Sequence, residues 1–188
     1  MTYNPDKHHR RSIRLKGYDY SQVGLYFITI CTQNRACLFG KIENGVMILH
    51  DAGRMVEKWF YELENKYPDK RCHAMVVMPN HFHCIIENKT LGTHVGVPPR
   101  RPENDPKNQY GIDNKKYGAT IGDAMDWFKN MTTNEYIRGV KKCGWQPFDG
   151  KLWQRNYWEH IIRNEMSYMK ISDYILSNPI KWNNDALK

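Results

Sequence analysis

The stretch VVMPNHFHCII, residues 76–86, sets His81 and His83 one residue apart in a run that is otherwise almost wholly apolar. Alternate side chains of an extended strand share a face. His81, His83, Ile85 and Glu87 therefore point one way, and Phe82, Cys84 and Ile86 the other. The two rings stand side by side, close enough to bind one ion, and neutral imidazole is a common ligand of first-row metals. An arbitrary His-x-His is more often an ordinary polar pair on a half-exposed strand. Here the apolar neighbours, and a Pro79-Asn80 turn that fixes the strand's start, favour ligation, because buried imidazoles without partners are costly. Two histidines make an incomplete site, so a third group must come from elsewhere in the chain.

The elements that would position them follow from periodicity. GLYFITICTQ, from Gly24, alternates and is rich in β-branched and aromatic residues, which predicts a central strand. ACLFGKI and GVMILH flank the turn signal ENG, a hairpin pattern. In DAGRMVEKWFYELENKY, Met55, Val56, Trp59, Phe60 and Leu63 recur at helical spacing, with Asp51 as the expected N-cap. CHAMVVM and HFHCIIE read as strands joined at Pro79-Asn80. A helix is expected over TIGDAMDWFKNMTTNEYIRGVKK, with Ile121, Met125, Phe128 and Met131 on one face and a bend near MTTN. WQPFDGKLWQRNYWEHIIRN is aromatic, basic and of mixed character, and EMSYMKISDYILS is a helix capped by Asn164 and stopped by Asn178-Pro179. This order predicts an α+β fold, most simply a ferredoxin-like split βαβ arrangement: an antiparallel sheet with helices packed on one face.

The chain of 188 residues reads as a basic N-terminal arm over 1–22 and a single domain over 23–188, interrupted by a mobile insertion at 89–119 rich in Pro, Gly, Asn and charge. Its five cysteines are odd in number and lack CxxC spacing, which argues against a disulfide framework and a thiolate zinc site. No run is long and apolar enough to cross a bilayer and the N-terminus has no apolar signal centre, so the expected location is cytoplasmic, with no membrane partner. The net charge of +8 and pI near 9.2, with 13% aromatic residues, point to a polyanion: cations hold a phosphate backbone while rings stack on bases. Arg10, Arg11 and Arg14 of the arm are candidates for phosphate contact.

VVMPNHFHCII resembles the HUH signature (His, hydrophobic residue, His) of single-tyrosine, single-strand DNA transposases, and more narrowly the REP-associated tyrosine transposases. The downstream blocks WQRNYWEHIIRN and ISDYILSNPIKW match that family's pattern in the same order. The resemblance spans roughly Gly24 to Trp182 without the insertion; the His-x-His alone is weak, and the combination is fairly specific. It implies a nucleophilic tyrosine on the last helix with an amide or carboxylate one turn later as third ligand. Carried over by position, Tyr174 is the nucleophile and Asn178 joins His81 and His83 around the metal. The spacing agrees, since residues i and i+4 share a helical face. Tyr157 and Tyr168 remain competing nucleophiles.

The implied chemistry is transesterification. A tyrosine hydroxyl with a pKa near ~10 is a weak nucleophile at neutral pH and needs a polarised, well-oriented phosphate. Attack gives a 5′-phosphotyrosine link and a free 3′-hydroxyl, without ATP. Two imidazoles and an amide suit Mg²⁺ or Mn²⁺, with zinc as the alternative that histidine favours. Arg155, Arg163 and Lys181 would hold the backbone, and Tyr157 and Trp158, with Trp153, would stack unpaired bases, with core packing the competing reading for the tryptophans. His160 reads as a structural neighbour of the site. The family's preference for imperfect hairpins near repeat or element ends implies a single-stranded DNA partner, bound by a monomer or homodimer. The alternative is a non-catalytic binder of single-stranded DNA or RNA hairpins on the same fold. A two-histidine phosphoesterase would need a second HxT or HxS element, and none is present.

Overall fold

The β-branched and aromatic run GLYFITIC forms β1 (Gly24–Cys31), an inner strand of the sheet in a computed structural model that describes residues 15, 17–89 and 115–188. The basic arm with Arg10, Arg11 and Arg14, and most of the insertion, lie outside the described residues. After β1 comes a separate hairpin, β2 (Gly40–Glu43) and β3 (Val46–Leu49). Its turn is Asn44-Gly45, with φ of 51° and 76°, the left-handed pair that a two-residue hairpin requires. Helix α1 (Asp51–Lys66), β4 (Lys70–Val77), β5 (His81–Asn88), α2 (Ile121–Cys143), β6 (Trp158–Ile162) and α3 (Glu165–Ser177) follow.

The main sheet has the order β4-β5-β1-β6, antiparallel throughout. The units β1-α1-β4 and β5-α2-β6 interleave, each enclosing a strand of the other, which is the ferredoxin-like split βαβ arrangement. Tyr26, Ile28 and Ile30 of β1 and Phe82, Cys84 and Ile86 of β5 meet Met55, Val56, Phe60 and Leu63 of α1 and Ile121, Met125 and Phe128 of α2. Phe82 is in contact with both helices, its ring centroid 5.4 Å from Phe60 and 5.3 Å from Phe128. Burial of each such side chain contributes about 1.5–3 kcal/mol.

The crossover helices share one face, as the pattern predicts. Helix α3 does not join them: it covers the opposite face, where Ile85, Ile162 and Ile175 form a smaller core with Leu25, Phe27, Ala74, Val76, Tyr168 and Ile171. This is the face that carries His81 and His83.

Three local readings differ from the sequence expectation. His50, not Asp51, is the N-cap of α1; Asp51 lies in the first turn, where its carboxylate favours the helix dipole and pairs with Arg54. Helix α2 is continuous through MTTN, where the Thr132 and Thr133 hydroxyls donate back to the carbonyls of Phe128 (2.8 Å) and Lys129 (2.6 Å) in place of competing with the helix from outside it. The aromatic-basic block contains a strand, β6, whose edge position leaves Trp158 and His160 exposed and so blurs its alternation.

Candidate active site

Cross-strand register orients the paired imidazoles. In the β1-β5 ladder Thr29 lies directly opposite His83, and its Oγ1 is 2.7 Å from His83 Nδ1. His81, which opens β5, has Nδ1 2.7 Å from Asn80 Oδ1 in the preceding turn. The Asn80 amide is itself fixed, since its Nδ2 donates to the Leu187 carbonyl at 2.8 Å. Its oxygen therefore faces the ring, Nδ1 of His81 carries the proton, and Nε2 is the other pole. The rings lie 4.6 Å apart at 69°, with 0% and 1% of each residue exposed.

Helix α3 brings the phenol to them. Tyr174 Oη is 3.3 Å from His83 Nε2, and its ring is 5.3 Å from that imidazole and 6.1 Å from Phe27. Tyr174 remains 38% exposed, so a ligand can reach it. Asn178 caps the C-terminus of α3 and is 2% exposed; its side chain bears on both His81 and Tyr174, while its Oδ1 has no hydrogen-bond partner. Tyr168, the competing nucleophile, is engaged elsewhere: its hydroxyl is 3.3 Å from His73 Nδ1, and His73 pairs with Glu87 at 2.8 Å.

Electrostatics follow from burial. Desolvation pushes His81 down to about 4, against the opposing pull of Asp185, and pushes His83 down to about 3, with His81 adding to it. Both rings are neutral at pH 7, the form that binds metal. Tyr174 is raised by burial first and then by the Asp185 carboxylate, with Asn178 acting in the opposite direction. Among the described residues no group of three His, Cys, Asp or Glu side chains stands in the geometry of a bound ion. The nearest additional donor from the predicted set is the Asn178 amide.

The expected DNA-binding residues divide by exposure. Arg155, Arg163 and Lys181 are exposed. Trp158 is 67% exposed and lies opposite Thr29 in the β1-β6 ladder. Opposed residues of an antiparallel pair share a face, so Trp158, Thr29 and His83 form one row across three strands. Tyr157 corrects the sequence expectation: it is 6% exposed within the main core and presents no ring face to a base. Trp153 is core as well, its Nε1 donating to Thr132 Oγ1 at 2.8 Å.

No protein-family model matches the chain. An uncharacterized protein of Haemophilus influenzae is 42% identical over 185 residues, 98% of this chain and 96% of that protein. A REP-associated tyrosine transposase of Escherichia coli is 25% identical over 162 residues, 86% of this chain and 70% of that one, and a second Haemophilus influenzae protein at 26% carries the same name in provisional form. Over most of its length the chain is similar to REP-associated tyrosine transposases. The solved structure of a REP-associated tyrosine transposase bound to a REP hairpin, 22% identical, superposes with a TM-score of 0.51 over 93% of this chain and 73% of that one, and shares its fold.

Four of the predicted site residues, His81, His83, Tyr174 and Asn178, converge on one face of the sheet. Three further residues at the site escaped the sequence reading. Thr29 was signalled only by strand register, which is non-local. Asn80 was read as a turn residue and not as a partner of His81. Asp185 lies beyond the last predicted helix, and the 3-10 helix Pro179–Asn184 returns it to His81.

Proposed function

We propose that this chain is a metal-dependent transposase that nicks and rejoins single-stranded, hairpin-containing DNA through a covalent 5′-phosphotyrosine at Tyr174. The observation that carries the reading is the convergence of the Tyr174 hydroxyl, two buried neutral imidazoles and an unpartnered amide oxygen on one small cleft. Of the twelve tyrosines in the chain, Tyr174 is the one whose hydroxyl, among the described residues, meets a histidine of the His-x-His.

The donor set fits a divalent cation. His81 Nε2 and Asn178 Oδ1 are buried without partners, a costly state that a cation relieves. His81, His83 and Asn178 would hold the ion, and Mg²⁺ or Mn²⁺ suits a set that mixes imidazole with oxygen. When bound, the ion supplies Lewis-acid polarisation of the scissile phosphate and orients it for in-line attack.

The chain's own residues do the rest. Thr29 and Asn80 fix the two rings so that Nδ1 of each is occupied and Nε2 faces the cleft. Tyr174 Oη forms the new bond to phosphorus as the bond to the 3′ oxygen breaks; the phenol gives up its proton and the departing 3′ oxygen gains one. The raised phenol keeps Tyr174 protonated at rest, and its exposure lets that proton leave to solvent. Ester replaces ester, so rejoining is the same step reversed. Arg155, Arg163 and Lys181 would steer the backbone, and Trp158 would stack an unpaired base beside the cleft.

The test uses single-stranded hairpin oligonucleotides labelled at the 3′ end, incubated with the full chain and Mg²⁺ or Mn²⁺. The expected product is a labelled protein-DNA adduct that survives denaturation, absent in Tyr174→Phe although that variant still binds. An adduct formed by Tyr174→Phe removes Tyr174 as nucleophile. Binding without any adduct across varied hairpins turns the reading into that of a hairpin-binding protein.

A further inference from the structure

The C-terminal segment after α3 is bound back onto the site. Arg35 Nη1 donates to the Ala186 carbonyl at 2.6 Å, Asn80 Nδ2 to that of Leu187 at 2.8 Å, and the Trp182 ring lies 6.1 Å from His81. These contacts fix Asp185, whose side chain is only 6% exposed. One carboxylate oxygen, Oδ1, accepts from the Leu187 backbone N–H at 2.7 Å. The other, Oδ2, has no hydrogen-bond partner and stands 3.6 Å from His81 Nε2, which has none either.

This facing pair requires an explanation. Nδ1 of His81 carries the proton, because its partner is the oxygen of an amide whose nitrogen is committed to Leu187. In the neutral ring Nε2 is then a bare lone pair. A lone pair opposite a buried carboxylate oxygen is repulsive and unsatisfied on both sides, and a third bare acceptor, Asn178 Oδ1, is buried in the same cleft. Three buried acceptors grouped without a donor call for a positive charge among them.

We propose that Asp185 is a further ligand of the divalent cation, completing the site of His81, His83 and Asn178 with an anionic oxygen. The inference rests on the metal-dependent reading above and deepens it. Imidazoles and an amide bring no charge, whereas hard cations such as Mg²⁺ and Mn²⁺ are held by carboxylates. His83 Nε2 is 3.3 Å from the Tyr174 hydroxyl. Asp185 Oδ2, 3.6 Å from His81 Nε2, would supply that anionic oxygen.

The experiment titrates the metal-free full chain with Mn²⁺ alone by calorimetry, with Mn²⁺ electron paramagnetic resonance as the second readout. Asp185→Asn, which keeps the shape and removes the charge, is expected to weaken Mn²⁺ at least tenfold while circular dichroism stays native; Asp185→Ser replaces it if the Asn variant loses that signal. His81→Ala is the reference. If His81→Ala abolishes binding and Asp185→Asn binds Mn²⁺ as well as the parent or better, the carboxylate only pairs with a protonated His81 or covers the cleft. The ligand role of Asp185 is then refuted, and the metal-dependent reading stands. If the parent chain binds no Mn²⁺, both fall together.

Discussion

Thr29→Val tests whether register on the sheet sets the chemistry of His83. Valine matches the shape of threonine and keeps its β-branching, so neither a cavity nor a loss of strand preference is introduced. What goes is one hydroxyl, 2.7 Å from His83 Nδ1, at a position 6% exposed and facing a ring 1% exposed. Water has no room to replace it, so the buried Nδ1 is left unpaired at a cost of about 1–3 kcal/mol. For a chain of this size that lowers Tm by about 2–4 °C per kcal/mol. The effect on the proposed metal is separable. Without the hydroxyl, Nδ1 no longer fixes which nitrogen carries the proton, and loss of such an outer partner weakens metal binding by about 10–100-fold. Urea unfolding of metal-free protein measures the first quantity, and Mn²⁺ titration the second. A variant that loses stability yet binds Mn²⁺ like the parent would show that Thr29 serves only the fold, and would refute the argument that it orients a ligand.

Other expectations follow from burial and charge. Trp158→Ala is expected to lose about 1–3 kcal/mol of single-stranded DNA binding with little change in unfolding, since the ring is exposed beside His83; unchanged binding in a gel-shift titration would remove it from the interface. Tyr157→Ala should do the opposite, lowering stability by about 3–5 kcal/mol, because that ring is core; near-parent stability in urea would show that the ring is not packed as described. In metal-free protein, His81 at about 4 and His83 at about 3 lie below the ordinary histidine value. The unfolded chain thus takes up protons first, and stability present above about pH 6.5 is lost as pH falls toward about 3, by an amount on the order of a few kcal/mol. The double variant His81→Gln/His83→Gln should flatten that part of the pH-stability curve, and an unflattened curve would assign the loss to other groups.

How much of this was legible in the sequence depends on range. His81 and His83 share a face because a strand has period two, and Tyr174 and Asn178 share one because a helix has period 3.6; both facts are local. The face on which α3 packs is not local. Its exposed apolar residues Met166, Met169 and Leu176 give no clean stripe, and only Ile175 of the helix is fully buried. β6 was missed for the related reason that an edge strand exposes what an inner strand buries, so Trp158 and His160 broke the pattern. Tyr157 was misread because an aromatic in a basic stretch looks like a stacking ring, while its burial is decided by α2 and the main core. Asp185 lies 104 residues from His81 in sequence, counted from their positions, and becomes a neighbour only through the return of the 3-10 helix.

His83 Nε2 has one lone pair and two claimants. At rest the Tyr174 hydroxyl holds it at 3.3 Å, and a cation in the proposed site needs the same nitrogen. The phenol is the weaker claimant: its hydrogen bond is long, its ring is 38% exposed, and such a bond contributes about 0.5–1.5 kcal/mol net. His83, on turning its Nε2 to a cation, would give up the Tyr174 hydroxyl, so the nucleophile would be freed as the site fills. Tyr174→Phe removes the competitor and keeps the ring against Phe27. Mn²⁺ affinity should stay level or rise by up to about tenfold, the equivalent of ~1.4 kcal/mol, while adduct formation vanishes. Weaker Mn²⁺ binding in that variant would mean that the phenol supports the metal site instead of competing for it, and the proposed order of events, ion first and phenol second, would fail.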